Sequence, residues 1–325
     1  MNYRELISAL VPRHGLGEAQ AIVRMVAEER FGLSFADLLL GKDTQLPADD
    51  RAEWEKIASR LVNGEPAQYV LGYADFCGHC FRVCPDVLIP RPETEELVRR
   101  AEEGLNGRFT AEREVRRKDK SSGGEDEQER SRERTLRILD LCTGSGCIAI
   151  SLALAFPEAQ VEGVDISESA LAVARQNASE LGVPNVVFSR HDVLSEAADE
   201  WCPPACHLMV SNPPYVCHSE ASAMAATVLD FEPHLALFVP DDDPLRFYRA
   251  LAVLARRSLL PGGLFFAELG QGQVATVCQL FREHGFRDVH LYDDAFGKPR
   301  ILAAVQDSPL NHSLRAERDT SFFQS

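Results

Sequence analysis

A tight glycine turn between an apolar strand and an apolar helix constrains this chain more than any other feature. Leu136-Arg137-Ile138-Leu139-Asp140-Leu141 is apolar enough for a buried strand, and Ile148-Ala149-Ile150-Ser151 opens an equally apolar helix. Between them lies Cys142-Thr143-Gly144-Ser145-Gly146-Cys147, too short for anything but a turn. A buried strand with a helix directly behind it is the first half of a parallel crossover. The alternation then repeats. Strands are predicted over 136–142, 160–165, 185–190, 207–212 and 262–269, and helices over 147–156, 168–181 and 244–258. Two further strands, 286–292 and 300–305, form a hairpin around Gly297. The expected fold class is α/β, a doubly wound and mostly parallel sheet.

Gly144 and Gly146 let the backbone approach a ligand closely. The turn lacks the full G-x-G-x-x-G of a dinucleotide site and the Lys-Ser/Thr of a phosphate loop. Asp140 at the strand end suits a cationic or hydroxyl-bearing ligand better than a pyrophosphate. Asp165 ends the next strand, 19 residues after Gly146, near the spacing of an acid that holds ribose hydroxyls. Asp192 ends the third and can accept from an adenine amino group. Each acid alone reads as a helix cap. Three in order along the carboxyl edge, where such sheets bind ligands, point to a nucleoside with a positive sulfonium.

The fourth strand ends in Ser211-Asn212-Pro213-Pro214-Tyr215. The prolines cannot continue a central strand. Asn212 offers its side-chain carbonyl and Pro213 its backbone carbonyl, two acceptors for one planar –NH2 group. Tyr215 adds a flat face and a hydroxyl. The pattern suits an amide or aromatic amine whose nitrogen faces an electrophile. His191, His207 and His218 are the nearby candidate bases, each also explained by its place in a strand or loop.

The flanks carry less chemistry. Residues 1–70 read as helices, with Ser34 capping one and Trp54, Ile57, Ala58 and Leu61 on one face of another. Residues 71–90 read as a hairpin linker, and Pro92 or Thr94 opens the next helix. Residues 106–135 are densely charged with few apolar groups, which predicts an exposed insertion, and 307–325 reads as a loose tail. The 34 Lys and Arg against 50 Asp and Glu give a net charge of −16, so no nucleic-acid partner is expected. Nine cysteines, an odd number, fit reduced thiols. Cys77, Cys80 and Cys84 with His79, and Cys202 and Cys206 with His207, match zinc spacings loosely, and no metal is expected. No apolar run approaches the roughly 20 residues that span a bilayer. The N-terminus does not resemble a signal peptide. The reading is a cytoplasmic monomer with no membrane partner.

With these residues in place, the sequence resembles class I S-adenosylmethionine-dependent methyltransferases. More narrowly, it resembles the release-factor glutamine methyltransferase family. The matching stretches are Gly64-Glu65-Pro66-Ala67-Gln68-Tyr69, Val87-Leu88-Ile89-Pro90-Arg91-Pro92-Glu93-Thr94-Glu95, Asp140 to Gly146, Asn212 to Tyr215, and Phe231-Glu232-Pro233-His234-Leu235-Ala236-Leu237, in family order. The resemblance implies a small N-terminal helical domain over 1–70 that helps recognise the release factor, a hairpin linker over 71–90, and a catalytic domain over 91–306. That domain has a seven-stranded, mostly parallel sheet with its last strand pair antiparallel. The implied cofactor is S-adenosylmethionine, held by Asp140, Cys142, Thr143, Gly144, Ser145, Gly146, Asp165, Ile166, Asp192, Val193 and Asn212. The implied substrate is the glutamine side chain of a peptide chain release factor, bound by Asn212, Pro213, Pro214, Tyr215, Glu232 and Pro233. Asn212, Pro213 and Tyr215 carry the catalytic roles. Related enzymes that methylate a ribosomal-protein glutamine, or an exocyclic amine of rRNA or DNA, share parts of this pattern. The chain departs from the family in having Cys142 where glycine is common, and in the length of its charged insertion.

Overall fold

The computed structural model describes residues 1–118, 135–195, 201–294 and 296–306, arranged in two compact units. One unit holds Met1–Ala74, Arg82–Ile89 and Ser222–Pro233. Its first helix, Tyr3–Phe31, is capped by reciprocal bonds between Asn2 and Glu5 and breaks at Gly15 (φ 75°). Ser34 caps the helix Phe35–Leu39, as its sequence predicts. The helix Ala48–Val62 turns Trp54, Ile57, Ala58 and Leu61 inward, against Leu6, Leu10, Val23 and Val26. The Gly64-to-Tyr69 stretch is structural here. Arg60 donates twice to Glu65, at 2.5 and 2.7 Å, and the Tyr69 hydroxyl donates to the Val87 carbonyl at 2.6 Å. That last bond ties the 82–89 segment to the helices.

Tyr73–Phe76 (β1) and His79–Arg82 (β2) form a two-stranded sheet. Cys77 (φ 49°) and Gly78 (φ 75°) supply the two left-handed residues that such a hairpin turn requires. The Cys77 and Cys80 positions are therefore explained by strand pairing.

The other unit holds Asp75–Phe81, Pro90–Ala221 and His234–Ser325. A helix opens at Pro92 and runs to Lys118. The helix covers residues 106–118 of the expected charged insertion. Glu, Arg and Lys are good helix formers, so charge alone does not end a helix. Glu96 pairs with Arg99 and Arg100 one turn away, which favours the same conformation. The remainder of that expected insertion, 119–134, and the expected tail, 307–325, lie outside the described residues.

Seven strands form the main sheet: Arg137–Leu141 (β3), Gln160–Asp165 (β4), Val186–Arg190 (β5), Cys206–Ser211 (β6), Leu259–Glu268 (β9), Phe286–Asp293 (β10) and Pro299–Gln306 (β11). Val216–Cys217 (β7) and Phe238–Val239 (β8) pair separately. The order across the sheet is β10-β11-β9-β6-β3-β4-β5. All neighbours are parallel except β10 with β11 and β11 with β9. Alternate side chains feed two cores. Ile138, Leu208 and Val210 pack on one face with the helix Cys147–Ala155, and Leu139, Leu141 and Met209 on the other with Arg246–Ser258 and Val274–Glu283. The chain leaves β3 toward β4 on one side, while β6 lies on the other. That divergence opens a crevice at their carboxyl ends.

Candidate active site

Strand register brings the predicted residues to one level. Leu141 is opposite Val164 of β4 and Ser211 of β6. The next residues, Cys142, Asp165 and Asn212, therefore leave three neighbouring strands side by side. The Ser211 hydroxyl donates to the Leu141 carbonyl at 2.7 Å and fastens two of these strand ends.

The glycine turn is wired to the acids. Asp165 Oδ2 accepts from the Gly144 N–H and Oδ1 from the Ser167 N–H, both at 2.9 Å. Each oxygen keeps acceptor capacity for a hydroxyl. Asp140 is fully buried. Its Oδ2 accepts from the Thr143 hydroxyl at 2.5 Å and the Ala149 N–H at 3.2 Å, while Oδ1 has no partner among the described residues. Burial pushes the Asp140 pKa up to about 7; the Thr143 and Ala149 bonds oppose this and the Asp165 charge adds to it. Cys142 sits in left-handed backbone space (φ 61°), which explains why glycine suits the position. Its thiol pKa is pushed up by burial first, then by the charges of Asp165 and Asp140, with Asp192 adding to them. The three acids thus converge around this one residue.

The rest of the predicted cofactor set lies around them. The Ser145 carbonyl accepts from the Asn177 side chain at 2.9 Å. Gly146 (φ 78°) leaves room for Ala174, which a Cβ there would approach to 3.0 Å. A Cβ at Gly144 would meet nothing within 4 Å. Ile166 is an exposed apolar side chain directly after Asp165. β5 ends at Arg190, so Asp192 does not end the strand but stands in the loop after it, where it is exposed and accepts from the Leu194 N–H at 2.9 Å. Val193 packs on the core beneath. These residues fit a positively charged nucleoside: a buried unpaired carboxylate oxygen, converging negative charges, an open glycine and an apolar face. Asp165 could hold hydroxyls, Ile166 and Val193 offer apolar surface, and the acid cluster suits positive charge.

At the acceptor turn, Pro213 and Pro214 are buried while Asn212 and Tyr215 are partly open. Asn212 Nδ2 donates to Thr94 Oγ1 at 3.2 Å, and Thr94 Oγ1 donates to Glu268 Oε2 at 2.7 Å. The Tyr215 hydroxyl donates to Glu268 Oε1 at 2.9 Å. Burial, then the Glu268 charge, pushes the Tyr215 pKa upward, so the phenol stays protonated. Gln273 donates to the Tyr215 carbonyl at 3.2 Å, and Gly270 lets the Tyr215 ring lie where a Cβ would stand 3.0 Å from it. Thr94, Glu268, Gly270 and Gln273 are not among the site residues read from the sequence, where Thr94 stands only as a helix opener and part of a matching stretch. Glu268 carried a usable signal, because it is an acid at the carboxyl end of an apolar strand, like Asp140 and Asp165.

The three predicted histidines do not join this cluster. His207 Nδ1 accepts from the Arg137 N–H at 3.1 Å, His218 stacks on Phe238, and His191 stacks on Trp201. Glu232 and Pro233 belong to the helical unit. Glu232 is buried there, and its Oε2 accepts from the Ile89 N–H at 3.2 Å.

A seven-stranded sheet of this order, with an acidic nucleoside crevice at its strand divergence, places the chain among the class I S-adenosylmethionine-dependent methyltransferases. Residues 132–234 match the methyltransferase domain family and residues 4–72 the PrmC N-terminal domain. The release factor glutamine methyltransferase of Bacteroides thetaiotaomicron is 44% identical, over 88% of this chain and 92% of its own. That of Bordetella pertussis is 37% identical, over 91% and 97%. Among solved structures, the release factor-specific protein-(glutamine-N5) methyltransferase of Alicyclobacillus acidocaldarius is 28% identical over 70% of this chain and 100% of its own, with a TM-score of 0.35. The chain belongs to the release factor glutamine methyltransferase family.

Proposed function

We propose that this chain transfers a methyl group from S-adenosylmethionine to the side-chain amide nitrogen of the glutamine in the Gly-Gly-Gln motif of peptide chain release factors. The observation that carries this reading is the Asn212-to-Tyr215 turn, one strand away from the acids of the cofactor crevice. Family membership supports the release factor as substrate. The cofactor, when bound, supplies a methyl group on a positively charged sulfur. A carboxamide nitrogen is a weak nucleophile because its lone pair is delocalised. Asn212 Oδ1 and the Pro213 carbonyl accept its two N–H groups and stabilise positive charge growing on nitrogen. Alignment of that nitrogen with the methyl provides much of the remaining acceleration. The Tyr215 ring, held through its hydroxyl, bounds the planar amide. Glu232 and Pro233 are assigned to the substrate side by family resemblance, and Glu232 accepts from the Ile89 N–H within the helical unit.

The test is Asn212→Ala with labelled cofactor and a release factor, the product located by fragmentation. Turnover should fall about 10²–10³-fold, far more than any loss of cofactor affinity. Label on the Gly-Gly-Gln glutamine nitrogen supports the reading. Label confined to a ribosomal protein or to nucleic acid would overturn the substrate, and near-normal transfer by the variant would overturn the mechanism.

A further inference from the structure

A side-chain amide has two nearly isosteric ends, and only one of them suits this reaction. Asn212 must present Oδ1, an acceptor, to the substrate N–H. With Nδ2 in its place, two donors would face each other. Something in the protein has to choose the end.

Glu268 is buried at the end of β9, and each of its oxygens faces a hydroxyl: Thr94 Oγ1 at 2.7 Å and the Tyr215 phenol at 2.9 Å. Burial raises the Glu268 pKa, while the bonds from Thr94 and Tyr215 and the Arg300 charge favour the carboxylate, and a carboxylate only accepts. Both hydroxyls therefore spend their single proton on Glu268. Thr94 Oγ1 is left with lone pairs alone, and it lies 3.2 Å from the Asn212 side chain. Only the Nδ2 end of Asn212 satisfies it. Oδ1 is then turned the opposite way, and it makes no hydrogen bond within the described residues. Thr94 is itself buried, so water does not substitute for its hydroxyl.

We propose that Glu268 and Thr94 are positioning residues that set the polarity of the Asn212 carboxamide through a one-way chain of hydrogen bonds, Asn212 to Thr94 to Glu268. The same carboxylate holds Tyr215, so a single buried charge orders both side chains that flank the substrate amide. The backbone of Glu268 is held in turn, since its carbonyl accepts from the Tyr248 hydroxyl at 3.1 Å. This assignment rests on the glutamine-methylation reading for its purpose, but the hydrogen-bond direction is open to measurement without any substrate.

The first measurement is made on the wild-type protein with 15N-labelled asparagine, the Asn212 amide signal being identified by its loss in Asn212→Ala. A nuclear Overhauser contact between the Asn212 Nδ2 protons and the Thr94 methyl is expected; its absence would overturn the chain. The second is kinetic. Thr94→Val keeps the shape and removes the hydroxyl, and should lower kcat roughly tenfold. The cofactor Kd and the release-factor KM should stay within about twofold, a split that general loosening would not give. Thr94→Ser restores the hydroxyl and should return kcat to near wild type. If Thr94→Val does not fold, Thr94→Ala takes its place. Turnover by the hydroxyl-free variant equal to wild type, or a serine variant as slow as the valine one, would overturn the proposal. Wild-type protein that shows the contact yet labels no glutamine would count against the substrate reading alone. Wild-type protein that labels glutamine while the hydroxyl-free variant is unimpaired would count against the chain alone.

Discussion

Asp140→Asn isolates the electrostatic character of the cofactor crevice. Burial raises the Asp140 pKa from an ordinary 3.8 to about 7 in the fold. Between those values the folded protein holds a proton that the unfolded chain releases. The stabilising contribution is therefore complete below pH 3.8 and is lost as pH rises through about 7. From pH 5 to pH 8 the loss amounts to about 2–3 kcal/mol. The asparagine variant does not titrate at this site, and its amide oxygen can still accept from Thr143 and Ala149. Urea unfolding of both proteins without cofactor, at pH 5, 6, 7 and 8, gives the difference in stability directly, and other titrating groups cancel in it. The variant should gain on wild type by about 2–3 kcal/mol across that range. Saturating S-adenosylmethionine should flatten the wild-type dependence, because positive charge in the crevice favours the ionised acid. Parallel stability curves for the two proteins would refute both the burial argument and the fit of this acid to a cation.

Two further outcomes are expected. Asp165→Ala should weaken cofactor binding by about 1.5–3 kcal/mol, the worth of a hydrogen bond to a charged acceptor; calorimetry on the folded variant checks this, and unchanged affinity would remove Asp165 from the ribose site. Gly163→Ala places a Cβ 2.6 Å from the Phe188 ring and 2.7 Å from Thr143 Oγ1. It should destabilise the fold by about 1–3 kcal/mol, measured by denaturant midpoint, and an unchanged midpoint would show that Phe188 and Thr143 yield freely.

The sheet was legible because its strands are long apolar runs with helices of matching period between them. The predicted strands at 160–165 and 185–190 and helices at 147–156 and 168–181 agree with the fold to within one residue at each end. Two features fall outside the predicted elements. The helix Val274–Glu283 does carry a helical signal, since Val274, Val277, Cys278 and Phe281 recur at helical spacing and pack on the core. β9 begins at Leu259, before Pro261-Gly262-Gly263, a stretch whose composition reads as a turn. Leu259 pairs with Cys206, and a shift in register then absorbs the glycines. Pairing with a neighbour outweighed local preference there.

The candidate site divides along a similar line. Asp140, Gly144, Asp165 and Asn212 were legible because each stands at a strand end, where chain order alone implies proximity. Glu232 was carried by resemblance, and its local bond to Ile89 could not be read from a separation of 143 residues. Thr94 and Glu268 are 174 residues apart and also invisible to spacing. What sequence pattern conveys is which groups reach the sheet edge. It does not convey the direction of the hydrogen bonds among them, and that direction matters for an amide-accepting site. Asn212 is chemically ambiguous until its neighbours are known. Thr94 is ambiguous too, since a hydroxyl donates or accepts. Glu268 in its carboxylate form is not, because it has no proton to give. The polarity of the chain therefore starts at the buried acid and ends at the substrate-facing oxygen of Asn212, the reverse of the order in which the sequence draws attention to them.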